Sequence, residues 1–342
     1  MNKQTVLLLF GGESSEHEVS VASAQNVYAA IDQSQYEIIL GFIDTAGKWW
    51  RKQSLEAGPD EQLLPVLGSN TFTTVPSGHN ILPDIILPIL HGKNGEDGAV
   101  QGLAQLLHIP IVGCDMISSA ICMDKIATKE VMIANNIAVV PYFVYRRGEP
   151  LPDFHAISQD LDSTLFVKPA RAGSSVGVSK VRSGAELITA INEALLHDSV
   201  VLIEKAMNIR ELEVAVLGNP PEHKASVVGE VIAGADFYSY EAKYDSSSSS
   251  HVEIPANISK EQAIEIRKLA KKIYSLLGCS GLARIDFFLM ETGEIYLNEV
   301  NTLPGFTDIS MYPKMWDYSG ISYQNLISTL LESAVKTAAS SR

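Results

Sequence analysis

Basic residues are scarce in this chain: 26 lysines and arginines stand against 40 aspartates and glutamates, a formal net charge of −14 over 342 residues. Such a surface repels phosphate backbones and anionic headgroups, which excludes nucleic acid and membranes as general partners. A local cationic pocket for one phosphate-bearing ligand stays open. Long apolar runs are also missing, and none approaches the roughly 18 residues of a membrane span. The opening "MNKQTVLLLFGGESSE" has no small-residue cleavage site and reads as a first β-strand, not a secretory leader. Cysteine is nearly absent. Cys114, Cys122 and Cys279 form no C-x-x-C pair and suit a reducing cytosol as buried thiols. Two nucleotide signatures are lacking as well: there is no G-x-x-x-x-G-K-[ST] and no G-x-G-x-x-G.

What remains is an ordinary globular composition, 46% hydrophobic and 19% charged, long enough for two or three domains. The first 120 residues alternate strand and helix signals. "TVLLLF", "YEIILGFI" and "DIILPIL" are apolar strands, and helices are expected on the segment after "GGESSE" and around residues 99–107. Ser15-x-x-Glu18 has the spacing of a capping box for the first helix. This pattern predicts a parallel α/β domain. A helix on "DKIATKEVMIANN" opens a second region, followed by the strand "TLFVKPA", the loop "RAGSSVGVS", the helix "AELITAINEALLH" and the strand "VVLIEKA". From about Glu211 the chain is strand-rich, and "DFYSYEAKYDSSSSSHVEIPA" interrupts it; its serine run reads as a loop that closes over a site. A long helix on residues 260–277, a hairpin and a last helix on residues 321–337 complete the chain.

The hairpin, "GLARIDFFLM" and "EIYLNEVN", carries the first chemistry. With Thr292–Gly293 as a two-residue turn, Asp286 faces Glu299 and Arg284 faces Asn301 on one side of the sheet, with Ala283, Ile285, Phe287 and Leu289 on the other. Opposed carboxylates repel unless a cation lies between them, and oxygen-only ligands select magnesium or manganese. A magnesium site often shares its ion with substrate phosphates. For those phosphates the sequence offers Lys168 at the end of a strand, the Gly173–Gly177 loop and Lys125.

At these residues the chain resembles the D-alanine–D-alanine ligases of the ATP-grasp superfamily, along essentially its whole length. The matching segments are "GGESSEHEVSVASA", "HGKNGEDGAVQG", "GCDMISSAICMDK", "FVKPARAGSSVGVSK", "VLIEKAMNIRELEVAVLG", "FYSYEAKY", "GLARIDFF" and "NEVNTLPGFTDISMYP", in the family's order. The resemblance implies a three-domain α/β and α+β ATP-grasp architecture. Its expected parts are an N-terminal parallel α/β domain over residues 1–122, a central ATP-grasp subdomain over 123–210 and a C-terminal domain over 211–342. It implies ATP-dependent joining of two D-alanines through an acyl phosphate, for peptidoglycan precursors, in a cytoplasmic protein expected to be a homodimer. By resemblance, Asp286, Glu299 and Asn301 hold two magnesium or manganese ions. Lys125, Lys168 and Ser175 meet phosphates, and Lys243 faces the transferring phosphoryl group. Glu204 and Lys205 after it meet adenine, while Glu211 takes the ribose. Glu16 holds the ammonium of the first D-alanine together with Ser174 and Tyr244. Arg284 and Gly305 stabilise the oxyanion, Ser310 and Met311 border the second D-alanine, and His91 is a further candidate contact. Lys93 in "HGKNGEDG" is also similar to ligases that join D-alanine to D-serine. That is the main alternative, ahead of a non-catalytic binding relative.

Overall fold

In the computed structural model, residues 3–232 and 251–340 are described. Val6 to Phe10 are all fully buried because their strand, β1 (Gln4–Gly11), lies inside a sheet covered on both faces. After α1 (His17–Ala30), β2 (Tyr36–Ile43) pairs with β1 in parallel. The chain then adds β3 (Trp49–Lys52), β4 (Glu61–Val66), β5 (Thr71–Val75) and β6 (Asn80–Ile81), each antiparallel to the one before. β7 (Ile85–Leu90) returns to pair in parallel with β1, giving the order β6-β5-β4-β3-β2-β1-β7. The sheet is therefore mixed, not wholly parallel. Its four added strands are short and half-buried, without the apolar run that marks the three parallel ones.

The helices α2 (Ala99–Leu106), α3 (Met116–Met123) and α4 (Lys125–Ala134) follow. Next come β8 (Tyr142–Arg146), α5 (Phe154–Leu161), β9 (Leu165–Pro169), β10 (Ser179–Val181), α6 (Gly184–Ala194) and β11 (Val200–Lys205). Their four strands form an antiparallel sheet in the order β10-β9-β11-β8. Alternation gives it two faces: Leu165, Val167, Val201 and Ile203 pack with Leu187 and Ile191 of α6, so Lys168 and Glu204 look the other way.

The third sheet, β14-β13-β12-β15-β16, is built from β12 (Ile209–Leu217), β13 (Lys224–Ile232), β14 (His251–Glu253), then α7 (Lys260–Leu276), β15 (Leu282–Met290) and β16 (Ile295–Asn301). Ile266, Ala270, Ile273 and Tyr274 of α7 cover one face, over Ala283, Ile285, Phe287 and Leu289. α8 (Met311–Tyr318) and α9 (Tyr323–Ser340) then run back to the first sheet. Tyr312, Trp316, Leu326 and Leu330 share one core with Val6, Leu8, Phe10 and Ile85. Cys114, Cys122 and Cys279 are buried free thiols. Among the described residues no helix is long and apolar enough to cross a membrane.

Two further expectations need correction. No side chain caps α1: the helix starts at His17 with Glu16 at the cap position. Ser14 sets up that entry, its Oγ donating to His91 O at 2.5 Å and accepting from Glu16 N at 3.2 Å. The hairpin turn is not Thr292–Gly293 alone. Met290 N donates to Glu294 O at 2.9 Å and Gly293 N to Met290 O at 2.9 Å, with Gly293 at φ +94°, which makes residues 291–293 a three-residue loop. Its register pairs Phe287 with Leu297, one residue off the expected register, until a bulge at Asn298 restores Asp286 opposite Glu299. The bulge also reverses the alternation. Leu297 and Val300, three apart, are both core residues, and this is what puts Glu299 and Asn301 on the opposite face.

Candidate active site

Two cavities meet between the three sheets. The smaller, about 170 Å³, is lined by Glu16, His91, Glu96, Ser174, Arg284, Asn301, Gly305, Ser310 and Met311, among others. Glu16 reaches it because the Ser14 turn holds it at the start of α1. Gly173 comes close to it from the central unit: a β-carbon there would lie 3.5 Å from Glu16 Oε2 and 4.0 Å from Glu96 Oε2. His91 follows β7 at the carboxyl end of a parallel strand, the usual place for a ligand. Its Nδ1 lies 2.9 Å from Leu303 O, so this nitrogen carries the proton and Nε2, 3.4 Å from Ser23 Oγ, accepts. Burial holds the imidazole below its ordinary pKa, against the opposing pull of Glu16. Burial likewise pushes the Glu96 carboxyl well above the usual carboxylate range, and Glu16 adds to the effect. On the far wall Ser310 Oγ accepts from Thr307 N at 3.0 Å, and a β-carbon on Gly305 would stand 2.7 Å from it. Met311 packs into the core while lining the cavity.

The larger cleft, about 580 Å³, lies between the second and third sheets. Lys168, Ser175, Glu204, Lys205 and Glu211 are on its walls. Ser174 and Ser175 take consecutive left-handed conformations, φ +52° and +58°, a strained pair of about 1 kcal/mol each on the cleft wall. Glu204 is buried between two lysines, with Oε1 2.7 Å from Lys129 Nζ and Oε2 2.5 Å from Lys168 Nζ. Burial alone would raise its pKa, but Lys168 and Lys129 outweigh burial and hold it low. Lys205 donates its backbone N–H to Pro141 O at 3.1 Å. Arg210 clamps Glu230 with two hydrogen bonds of 2.7 and 2.6 Å on the same cleft wall.

Between the cavities runs a row of carboxylates. Glu213, Asp286 and Glu299 lie directly opposite one another on β12, β15 and β16. Arg284 donates to both Asp286 oxygens at 2.8 and 2.6 Å and stands 3.1 Å from Glu213 Oε2. Lys125 Nζ stands 3.5 Å from Glu299 Oε2 and donates to Ala172 O at 2.9 Å. Among the described residues, Arg284 and Lys125 are the cations set against these three carboxylates. Asn301 Oδ1 accepts from Leu303 N at 3.0 Å on the same face. Among the described residues no group of three His, Cys, Asp or Glu side chains is arranged to hold a metal unaided. The Asp286–Glu299 pair with the Asn301 carboxamide is nonetheless an oxygen-only donor set, suited to a hard divalent ion that takes its other ligands from water and phosphate.

Lys125, Gly173, Ser174, Glu213, Arg284 and Glu299 line both cavities. Sixteen of the eighteen residues expected from the sequence lie on one wall or both. The other two, Lys243 and Tyr244, lie outside the described residues, as does the serine run expected to close over the site. Glu96, Lys129, Glu213 and Arg210 were not anticipated. A helical lysine reads as a solvated charge, and the alignment of Glu213 with Asp286 needs the pairing of β12 with β15. Glu96 stands in the matched segment "HGKNGEDG", and Arg210 and Glu213 stand in "VLIEKAMNIRELEVAVLG", so these three left a local signal and Lys129 left none.

Comparison with known proteins places this geometry. The family model for the D-ala D-ala ligase N-terminus matches residues 5–114, and that for the C-terminus matches residues 131–332. The chain is 44% identical over 361 residues to a D-alanine–D-alanine ligase of Ruminiclostridium cellulolyticum, covering 98% of this chain and 96% of that one. It is 42% identical over 353 residues to D-alanine–D-alanine ligase A of Chromobacterium violaceum, with the same coverage. Among solved structures, the D-alanine-D-alanine ligase from Coxiella burnetii superposes with a TM-score of 0.89 at 33% identity, over 100% of this chain and 96% of that one. The VanG D-Ala:D-Ser ligase from Enterococcus faecalis gives 0.87 at 34%, over 97% and 100%.

Proposed function

Because this chain belongs to the D-alanine–D-alanine ligase family, we propose that it is an ATP-dependent ligase that joins two D-alanines into D-alanyl-D-alanine for peptidoglycan synthesis. The fold is the ATP-grasp fold, and the proposed domains are residues 1–122, 123–210 and 211–342. The observation that carries the reading is the wall shared by the two cavities. A nucleotide in the larger cleft and an amino acid in the smaller cavity would meet there, phosphate to carboxylate.

In this reading ATP lies between the second and third sheets, with Lys125, Lys168 and the Ser174–Ser175 backbone toward its phosphates. Lys205 and Glu204 lie toward the base and Glu211 toward the ribose. The first D-alanine places its ammonium against Glu16 and its carboxylate toward the shared wall. Attack of that carboxylate on the γ-phosphorus releases ADP and leaves an acyl phosphate. The amine of the second D-alanine, bordered by Ser310 and Met311, adds to the acyl carbon, and phosphate departs from the tetrahedral intermediate. Arg284 and the Gly305 backbone would face the oxyanion, as donors placed in advance for developing charge do. Magnesium or manganese, proposed as two ions on Asp286, Glu299 and Asn301, would supply charge neutralisation at the phosphates. His91, with both ring nitrogens engaged, acts as a fixed wall of the first subsite. A cytoplasmic homodimer is part of the same reading, supported by the family's habit.

A D-serine-using ligase is the second reading, prompted by Lys93 and the likeness to the Enterococcus structure. Lys93 does not favour it: its side chain is 72% exposed, pairs with Glu13 at 3.9 Å and lines neither cavity. Met311 offers an apolar border, which rejects an added hydroxyl by only about a hundredfold. With equal D-alanine, D-serine and D-lactate, ATP and magnesium near pH 7.5, mass analysis should show D-alanyl-D-alanine as the majority product and D-alanyl-D-serine as a trace. A majority of the serine product would transfer the assignment to the second reading.

A further inference from the structure

We propose that Lys129, buried behind the nucleotide cleft, is a positioning residue that frees Lys168 for phosphate by keeping Glu204 paired when Lys168 leaves it. The proposal rests on the reading of the larger cleft as an ATP site.

The two lysines that share Glu204 are not equivalent. Lys129 is 1% exposed and is not part of the cleft wall, whereas the Lys168 side chain is 14% exposed and lines the cleft. Lys129 is anchored further: its Nζ donates to Val140 O at 3.2 Å and stands 5.3 Å from the Tyr142 ring centroid. Each Glu204 oxygen has its own ammonium, Oε1 that of Lys129 and Oε2 that of Lys168. Three charges thus sum to one positive, and only one of the two cations can move.

That asymmetry has a use. Were Lys168 the sole partner, turning its ammonium to a phosphate would strand a buried carboxylate, and removing one partner of a buried pair is strongly unfavourable. Glu204 would then compete with the ligand for the lysine. With Lys129 fixed in place, Glu204 stays neutralised whichever way Lys168 points, and the surplus positive charge goes to the phosphate. A single buried pair, or an apolar pair, would serve packing alone at less cost in desolvation. The second lysine therefore calls for a role beyond stability.

The test is calorimetric titration of the full chain with ATP and, separately, adenosine, which has no phosphate. Lys129→Met should weaken ATP by about tenfold or more, equivalent to about 1.4 kcal/mol or more, and leave adenosine within about twofold. Lys129→Arg should keep most of the ATP affinity. In Lys129→Met/Glu204→Gln no carboxylate remains to hold Lys168, so ATP affinity should return to that of Glu204→Gln alone. Unchanged ATP binding in Lys129→Met, an equal loss for adenosine, or no recovery in the double variant would each overturn the proposal. If Lys129→Met alone does not fold, the double variant against Glu204→Gln still decides it: equal ATP affinity supports action through Glu204, and a further loss refutes it. Wild-type protein that binds no ATP would instead refute the reading of the cleft, and this proposal with it.

Discussion

Glu299 is the side chain on which the two cavities converge: it lines both, lies opposite Asp286 and stands 3.5 Å from Lys125 Nζ. Glu299→Gln keeps the shape and removes the charge, so turnover should fall by about a hundredfold or more with the melting temperature nearly unchanged. Near-normal rates across a magnesium titration would contradict its role. Glu96 makes a different prediction, about stability and pH. Its folded pKa lies above its unfolded value, so its contribution is full below about pH 4.3 and is lost as pH rises through the folded value. At pH 8 the carboxyl is therefore a burden. Glu96→Gln should raise the melting temperature there, and the gain should vanish near pH 4. An equal gain at both would mean burial and the Glu16 charge are not its cause. Residues such as Asp286, Lys168 and Glu16 were legible because strand alternation or a matched segment marked them. Lys129 was not, because its partner Glu204 comes from another element; Glu213 stands in a matched segment, but its place opposite Asp286 depends on which strands meet, which the sequence does not show.

The hairpin of β15 and β16 shows how a right pairing can be reached through a wrong turn. Asp286 and Glu299 do face each other, but through a three-residue loop and a compensating bulge at Asn298, not a two-residue turn. Bulges have no reliable local signal, since a single extra residue looks like any other. The three parallel strands of the first sheet were readable from their apolar runs, while β3 to β6 carry no such run. Two glycines separate turn geometry from site geometry. Gly293 has φ +94° and open space around it, so Gly293→Ala should cost about 1 kcal/mol in stability and leave kcat intact. Gly305→Ala meets Ser310 Oγ at 2.7 Å. It should lower kcat by about tenfold through displacement of the loop, with little loss of stability. Thermal melts and steady-state rates on both variants would settle it; a reversed pattern would mean that the loop around Gly305 does not shape the site.

At the scale of the molecule, the first and last parts of the chain share a core. Leu330 of α9, 1% exposed, packs in the same cluster as Val6, Leu8 and Phe10. Leu330→Ala should therefore cost about 3 kcal/mol and lower the melting of the N-terminal sheet together with the rest. Separate transitions by calorimetry would show the two parts to be independent. That continuity also holds Glu16 and Gly305 across one cavity, although they are 289 positions apart in the sequence. The central claim is that the carboxylate of one amino acid is phosphorylated at the shared wall before the amine of another displaces phosphate. D-Alanine labelled with oxygen-18 in its carboxylate, incubated with ATP and magnesium, tests it directly by mass analysis of both products. The expected result is D-alanyl-D-alanine with one labelled oxygen transferred to each phosphate released; dipeptide with unlabelled phosphate, or phosphate release without dipeptide, would contradict it.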